Sequence, residues 1–132
     1  MRYLVDSDVV IDFLADDQQT RNLLHSLSAD GITVSIISYI DTYQGMIERA
    51  MQEEQRRQFD AFFASVPMLP VSQDVARRCA HLRSTLKQQG KSIRRRAFDL
   101  VIAATALEHG LVLVTHNTDD YKDIPELKRY QW

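Results

Sequence analysis

Cysteine is nearly absent, with Cys79 standing alone among 132 residues. That excludes an internal disulfide and a thiolate cluster for zinc. Cys79 itself reads as a small buried hydrophobe on a helix face, because nothing nearby would activate a thiol. Glycine and proline are scarce at four and three residues, against 45% hydrophobic and 26% charged residues. Such a chain is globular rather than fibrous or disordered. It contains no linker, low-complexity tract or internal repeat. Its length suits one domain, residues 1–132, that buries roughly two thirds of its unfolded surface. No apolar run approaches the roughly 20 residues of a membrane span, and the stretch before Asp6 is too short for a signal peptide. A cytoplasmic protein with no membrane partner is expected.

Charge is missing locally rather than globally. Sixteen basic and 18 acidic side chains leave a net charge of −2, so the overall field does not attract nucleic acid. Between Asp74 and Asp99, however, there is no acid at all, while Arg77, Arg78, Arg83, Lys87, Lys91, Arg94, Arg95 and Arg96 carry half of the positive charge. The first seventeen residues show the reverse bias, with five aspartates and one arginine.

Periodicity divides the chain into alternating strands and helices. Residues 2–5 are β-prone and run into Asp6-Ser7-Asp8, which can cap a helix carrying Val9, Val10, Phe13 and Leu14. A helix over Thr20–Ala29 stops at Gly31, and Ile32–Ile37, rich in β-branched residues, is the second strand. Ser38 then caps a helix to about residue 52, followed by one with Phe59, Phe62 and Phe63 on a face. Val66–Val71, interrupted by Pro67 and Pro70, reads as an edge strand. Ser72 caps an amphipathic helix with Val75, Cys79, Leu82 and Leu86 inward. Residues 97–109 are apolar almost all round, a buried helix ended by Gly110, and Leu111–Thr115 is a central strand. A last strand near 127–130 is weakly signalled. Strand-then-helix repetition implies an α/β fold, a parallel sheet covered on both faces.

Against that frame, four acids fall just beyond short apolar runs: Asp6, Asp41, Asp99 and Asp120. In an open α/β sheet such positions converge at the carboxyl ends of the strands. Singly, each has an ordinary explanation as a helix cap, a first-turn residue or a loop residue. Jointly they describe an acidic pocket for hard divalent cations, since clustered carboxylates repel one another unless a cation compensates. Mg²⁺ or Mn²⁺ in such a pocket suits phosphodiester hydrolysis.

These segments resemble a known family. Leu4-Val5-Asp6-Ser7-Asp8-Val9-Val10, Ser38 through Asp41 to Gly45, Ile93 through Asp99 to Ala104, and Leu113-Val114-Thr115-His116-Asn117-Thr118-Asp119-Asp120-Tyr121 are similar to the four motifs of PIN-domain ribonucleases, specifically the VapC-type toxins of toxin-antitoxin pairs. The resemblance covers essentially the whole chain. It implies a single PIN-like domain with a five-stranded parallel sheet in the order 3-2-1-4-5, helices on both faces, and a site at the switch between strands 1 and 4. It implies an endoribonuclease whose catalytic metal ligands are Asp6, Asp41, Asp99 and Asp120, holding Mg²⁺ or Mn²⁺. Asp8, Thr115, Asn117 and Asp119 fall at additional site positions. Implied partners are RNA, a VapB-like antitoxin whose Arg-containing tail enters the acidic pocket, and a second copy in a homodimer. Two departures stand out: Asp41 replaces the usual Glu of the second motif, and Asp8 replaces the usual Asn of the first.

Other readings compete with this one. Arg94, Arg95 and Arg96 lie just before Asp99, where they could hold RNA phosphates, pair with surface acids, or form a solvated face. His25, His81 and His109 have no metal-ligand spacing, while His116 adjoins the expected site. Val5-Asp6-Ser7-Asp8-Val9-Val10 also resembles the nucleophile motif of haloacid-dehalogenase-type phosphatases, with Asp6 as nucleophile and Asp8 as general acid. A signalling receiver domain shares length and fold, but no phosphoacceptor carboxylate follows the third strand. A PIN-like binding module with little nuclease activity is the remaining alternative.

Overall fold

Tyr3, Leu4 and Val5 are all buried and form β1 (Tyr3–Val5), the central strand of a parallel sheet. In the computed structural model, which describes residues 1–132, β1 pairs on one side with β2 (Ile32–Ser35) and on the other with β4 (Val112–Val114); β2 pairs with β3 (Met68–Leu69). The order is therefore β3-β2-β1-β4. Register is Leu4 opposite both Thr33 and Leu113, so the three long strands end level with one another.

Side chains alternate across the strand, and the two faces of the sheet build two cores. Leu4 and Leu113 point into a cluster with Val75, Leu82, Leu86 and Leu100, on α5 (Gln73–Gln88) and α6 (Ala97–His109). Tyr3, Val5 and Val114 point the other way, toward Val9 and Val10 of α1 (Ser7–Leu14), Leu24 of α2 (Gln18–Leu27) and Phe62 of α4 (Glu53–Ser65). The remaining helix, α3 (Ile36–Glu48), links β2 to α4. As its composition requires, α6 is buried along most of its length. It ends at Gly110 in the left-handed conformation with φ 64°, where the backbone N–H of Leu111 donates to the Ala106 carbonyl at 2.8 Å.

Four expectations need correction. The sheet has four strands rather than five: the segment near 127–130 makes a single parallel bridge, Leu113 with Arg129. Beyond it the chain turns to seat Trp132, whose indole N–H donates to the Thr115 carbonyl at 2.8 Å. The second strand stops at Ser35, not Ile37, because the Ser35 side chain accepts from the Ile37 N–H and starts α3. Ser38 is consequently a buried residue inside the helix rather than its cap. The second helix begins at Gln18, capped by Asp17 through the Thr20 N–H. No helix is long and apolar enough to cross a membrane.

Candidate active site

The strand ends deliver the site. Asp6 follows β1 directly and caps α1, accepting the Ser7 N–H on Oδ1 at 2.7 Å. Its other oxygen accepts two hydroxyls at 2.9 Å, from Thr115 just beyond β4 and from Tyr121 in the 3₁₀ turn Thr118–Tyr121. Asp8, in the first turn of α1, accepts on Oδ2 from the Asn117 side chain at 2.9 Å and from the His116 backbone N–H at 3.2 Å. Asp41, in the second turn of α3, accepts the Ser7 hydroxyl at 2.7 Å, and Ser7 also meets Ser38 at 3.1 Å. Asp99 sits in the first turn of α6, where the helix dipole favours an acid.

All four expected carboxylates, Asp6, Asp41, Asp99 and Asp120, line one cleft of about 450 Å³, together with Asp8 and Asn117. Thr115 lies beneath it, fully buried, and acts through Asp6. Asp119 stays outside: it is exposed and does not line the cleft, because the tight turn that aims Asp120 and Tyr121 inward turns it away. His116 is also turned aside, its ring stacked on Trp132 at 4.4 Å and its Nε2 2.7 Å from Asp12.

Several lining residues had escaped the sequence reading. Tyr121 donates its hydroxyl proton to Asp6 at 2.9 Å and lines the cleft beside Asp99. No sequence pattern announces a buried tyrosyl hydroxyl. Gln44 and Glu48 were recoverable: they follow Asp41 by three and seven residues, the spacing that puts side chains on one helix face. Arg49 is the single basic residue in the lining.

The electrostatics are those of a cluster short of positive charge. Burial, and then the neighbouring charge of Asp8, push the Asp6 pKa up to about 6, against the hydrogen bonds it accepts. Burial also raises Asp8, and burial followed by the charge of Asp6 raises Asp99. One oxygen of Asp8, Oδ1, is buried with no hydrogen-bond partner. No three acidic, histidine or cysteine side chains close around one point as a metal cage. The donor set nonetheless fits a hard cation: it is all oxygen, it holds an orphaned carboxylate oxygen, and Mg²⁺ usually takes one or two carboxylates and keeps several waters.

A pH prediction follows for the metal-free protein. The folded-state pKa of Asp6 lies above its unfolded value of 3.8, so its protonated form favours the fold. That stability is present below about pH 4 and is lost as pH rises through about 6. Asp6→Asn is expected to be more stable than wild type by up to about 3 kcal/mol at pH 7 and to lose that advantage near pH 4. Denaturant titrations in chelator at the two pH values check this. An advantage that does not change with pH would remove the burial argument.

The family model described as the PIN domain matches residues 3–127. The chain belongs to the PIN-domain family. This PIN domain is 25% identical over 134 residues to ribonuclease VapC1 of Haemophilus influenzae strain R2866, covering 100% of the chain and 98% of that relative. It is 20% identical over 132 residues to the tRNA(fMet)-specific endonuclease VapC of Shigella flexneri, with the same coverages. Among solved structures it resembles VapBC2 of Rickettsia felis bound to a promoter DNA fragment, with a TM-score of 0.89 at 25% identity over 100% of the chain and 99% of the other.

The basic triplet before Asp99 divides in this PIN domain. Arg96 forks onto Asp123, Nη1 to Oδ2 at 2.8 Å and Nη2 to Oδ1 at 2.7 Å, and donates to the Asp120 carbonyl at 2.9 Å. It ties the turn bearing Asp120 and Tyr121 to the start of α6, and its hydrogen bonds hold Asp123 below the ordinary carboxylate range. Arg94 and Arg95 remain exposed. Arg96→Ala is expected to cost about 2 kcal/mol of stability, and Arg94→Ala and Arg95→Ala almost nothing, in chemical denaturation. Equal losses for all three would return Arg96 to the surface.

Proposed function

We propose that this PIN domain is a metal-dependent endoribonuclease and the toxin of a toxin-antitoxin pair. The observation that carries the reading is the convergence of Asp6, Asp41, Asp99 and Asp120 on one cleft. The family and the VapC relatives support it. These acids and Asp8 would hold a Mg²⁺ or Mn²⁺ ion, which would supply an activated water and charge neutralisation for a hydrolysis that leaves a 5′ phosphate and a 3′ hydroxyl.

The chain's own residues have separate tasks in that reaction. Thr115 and Tyr121 orient Asp6 from below, and Ser7 fixes Asp41 toward the same space. Asn117 restrains Asp8 while leaving one of its oxygens free to act on a ligand. Arg94 and Arg95 supply exposed charge for RNA phosphates next to Asp99. Replacing both by Ala is expected to flatten the salt dependence of RNA binding by roughly 0.7 per lost contact on a single strand. The phosphatase reading has less behind it, since both oxygens of Asp6 are already engaged and no lysine lines the cleft.

The antitoxin is proposed to be VapB-like, because VapBC complexes are among the structural neighbours. An arginine from its tail would satisfy the cleft carboxylates bidentately without metal. A homodimer is proposed as well, and Ile40, Tyr43 and Ile47 offer it an exposed apolar stripe on α3. Brief expression of the chain without its partner, followed by sequencing of new RNA ends, tests the function. New 5′-phosphate ends at defined sites, absent with Asp99→Asn, are expected. An unchanged pattern of ends with growth unimpaired would overturn it.

A further inference from the structure

The loop that follows β4 carries the donors that face Asp6 and Asp8. The Thr115 hydroxyl reaches Asp6 at 2.9 Å, while the His116 backbone N–H and the Asn117 side chain reach Oδ2 of Asp8 at 3.2 and 2.9 Å. These donors set how both carboxylates turn, and they leave Oδ1 of Asp8 buried and unpartnered. Yet residues 115–117 belong to no helix or strand, so their position depends on what grips them from outside.

Two side chains of the stretch 129–132 supply that grip. The backbone of the stretch arrives along the outer edge of β4, where Leu113 donates its N–H to the Lys128 carbonyl and accepts the Tyr130 N–H, each at 2.8 Å. Val114 turns its carbonyl the other way, to the Asp6 N–H at 2.9 Å. The Thr115 carbonyl therefore faces the outer edge again, and there the Trp132 indole N–H takes the place of a ladder N–H at 2.8 Å. Past the loop, Nη1 of Arg129 donates to the Thr118 carbonyl at 2.6 Å. Between these two bonds the His116 ring is stacked on Trp132, with its Nε2 2.7 Å from Asp12 of α1. Packing alone does not call for this arrangement. Trp132 is half exposed and joins neither core, and Arg129 makes no ion pair.

We propose that Trp132 and Arg129 are positioning residues of the cleft: by holding the carbonyls of Thr115 and Thr118 they fix the loop that orients Asp6 and Asp8, so cation affinity and turnover depend on two side chains that do not line the site. The proposal rests on the nuclease reading for the reaction. Groups that orient the ligands of a metal commonly change its affinity, or the activity, by tenfold or more when removed. A side chain that only supports the fold lowers the melting temperature and leaves the cation affinity of the folded protein unchanged.

The test is Mn²⁺ binding to purified protein without RNA, read by titration calorimetry, together with thermal melting and single-turnover cleavage of a labelled RNA. Trp132→Phe keeps a ring for His116 and removes the indole N–H, and Arg129→Met keeps the apolar stem and removes the guanidinium. Each is expected to weaken Mn²⁺ binding by about tenfold and to slow cleavage at limiting Mn²⁺ in proportion, with the RNA concentration for half-maximal rate unchanged. Arg129→Lys, which retains a donor for the Thr118 carbonyl, should bind Mn²⁺ like wild type. If one variant does not fold, the other decides. Folded Trp132→Phe and Arg129→Met proteins that bind Mn²⁺ and cut RNA as wild type does would overturn the proposal, whatever their melting temperatures. Failure of the nuclease reading looks different: wild type cuts no RNA in Mg²⁺ or Mn²⁺, while the two variants still bind Mn²⁺ more weakly than it does.

Discussion

Asp99→Asn is expected to cut RNA about a thousandfold more slowly than wild type while remaining folded. Stabilisation of transition-state charge by a bound metal is worth several kcal/mol, and each tenfold in rate corresponds to about 1.4 kcal/mol. Loss of one anionic ligand is therefore expected to remove most of the rate. The fold should survive because burial and the charge of Asp6 already disfavour the ionised form of Asp99. An asparagine of the same shape removes that repulsion. In chelator at pH 7 the variant should melt no lower than wild type. Single-turnover cleavage of a mapped RNA, paired with thermal melting, checks both halves. Full activity in a folded Asp99→Asn protein would place the chemistry elsewhere.

Asp41 is the second position where a large effect is expected, and its direction depends on the substituent. It stands where the family resemblance puts a longer glutamate, and the Ser7 hydroxyl holds it at 2.7 Å. One methylene less reach would leave a bound cation loosely held, which would favour Mn²⁺, the ion of higher intrinsic affinity for a given site, over strictly octahedral Mg²⁺. Asp41→Ala should lose activity by about a hundredfold or more, whereas Asp41→Glu should keep it or raise it at low Mg²⁺. Rates measured across Mg²⁺ and Mn²⁺ titrations separate the cases. An alanine variant as fast as wild type at every metal concentration would reduce Asp41 to a helix residue held by Ser7.

What could be read from the chain follows from how local its causes are. Asp6 caps the helix that begins one residue after a three-residue apolar strand, so its place at a strand end was visible in neighbouring residues. The apolar girdle of α6 and the left-handed Gly110 were legible for the same reason. Contacts far apart in sequence were not. Arg96 looked like one of three equivalent cations until the fold brought Asp123 to it, 27 residues on. Tyr121 reaches Asp6 across 115 residues. Ser35 and Ser38 can both cap a helix, and only the pairing of β2 with β3 at Ser35 and Leu69 fixes which does. The fifth strand that the family resemblance implies shortens here to the single bridge of Leu113 with Arg129, and beyond it the Thr115 carbonyl holds the Trp132 indole.

The most direct measurement is cleavage of a single labelled RNA by the purified wild-type protein, first in excess chelator and then after Mg²⁺ or Mn²⁺ is restored, with the ends of the products identified. Cleavage absent in chelator, regained with either metal and giving 5′-phosphate ends is expected of an acidic cleft that works through a divalent cation. Cleavage that continues undiminished in chelator, or products ending in cyclic phosphates, would contradict it.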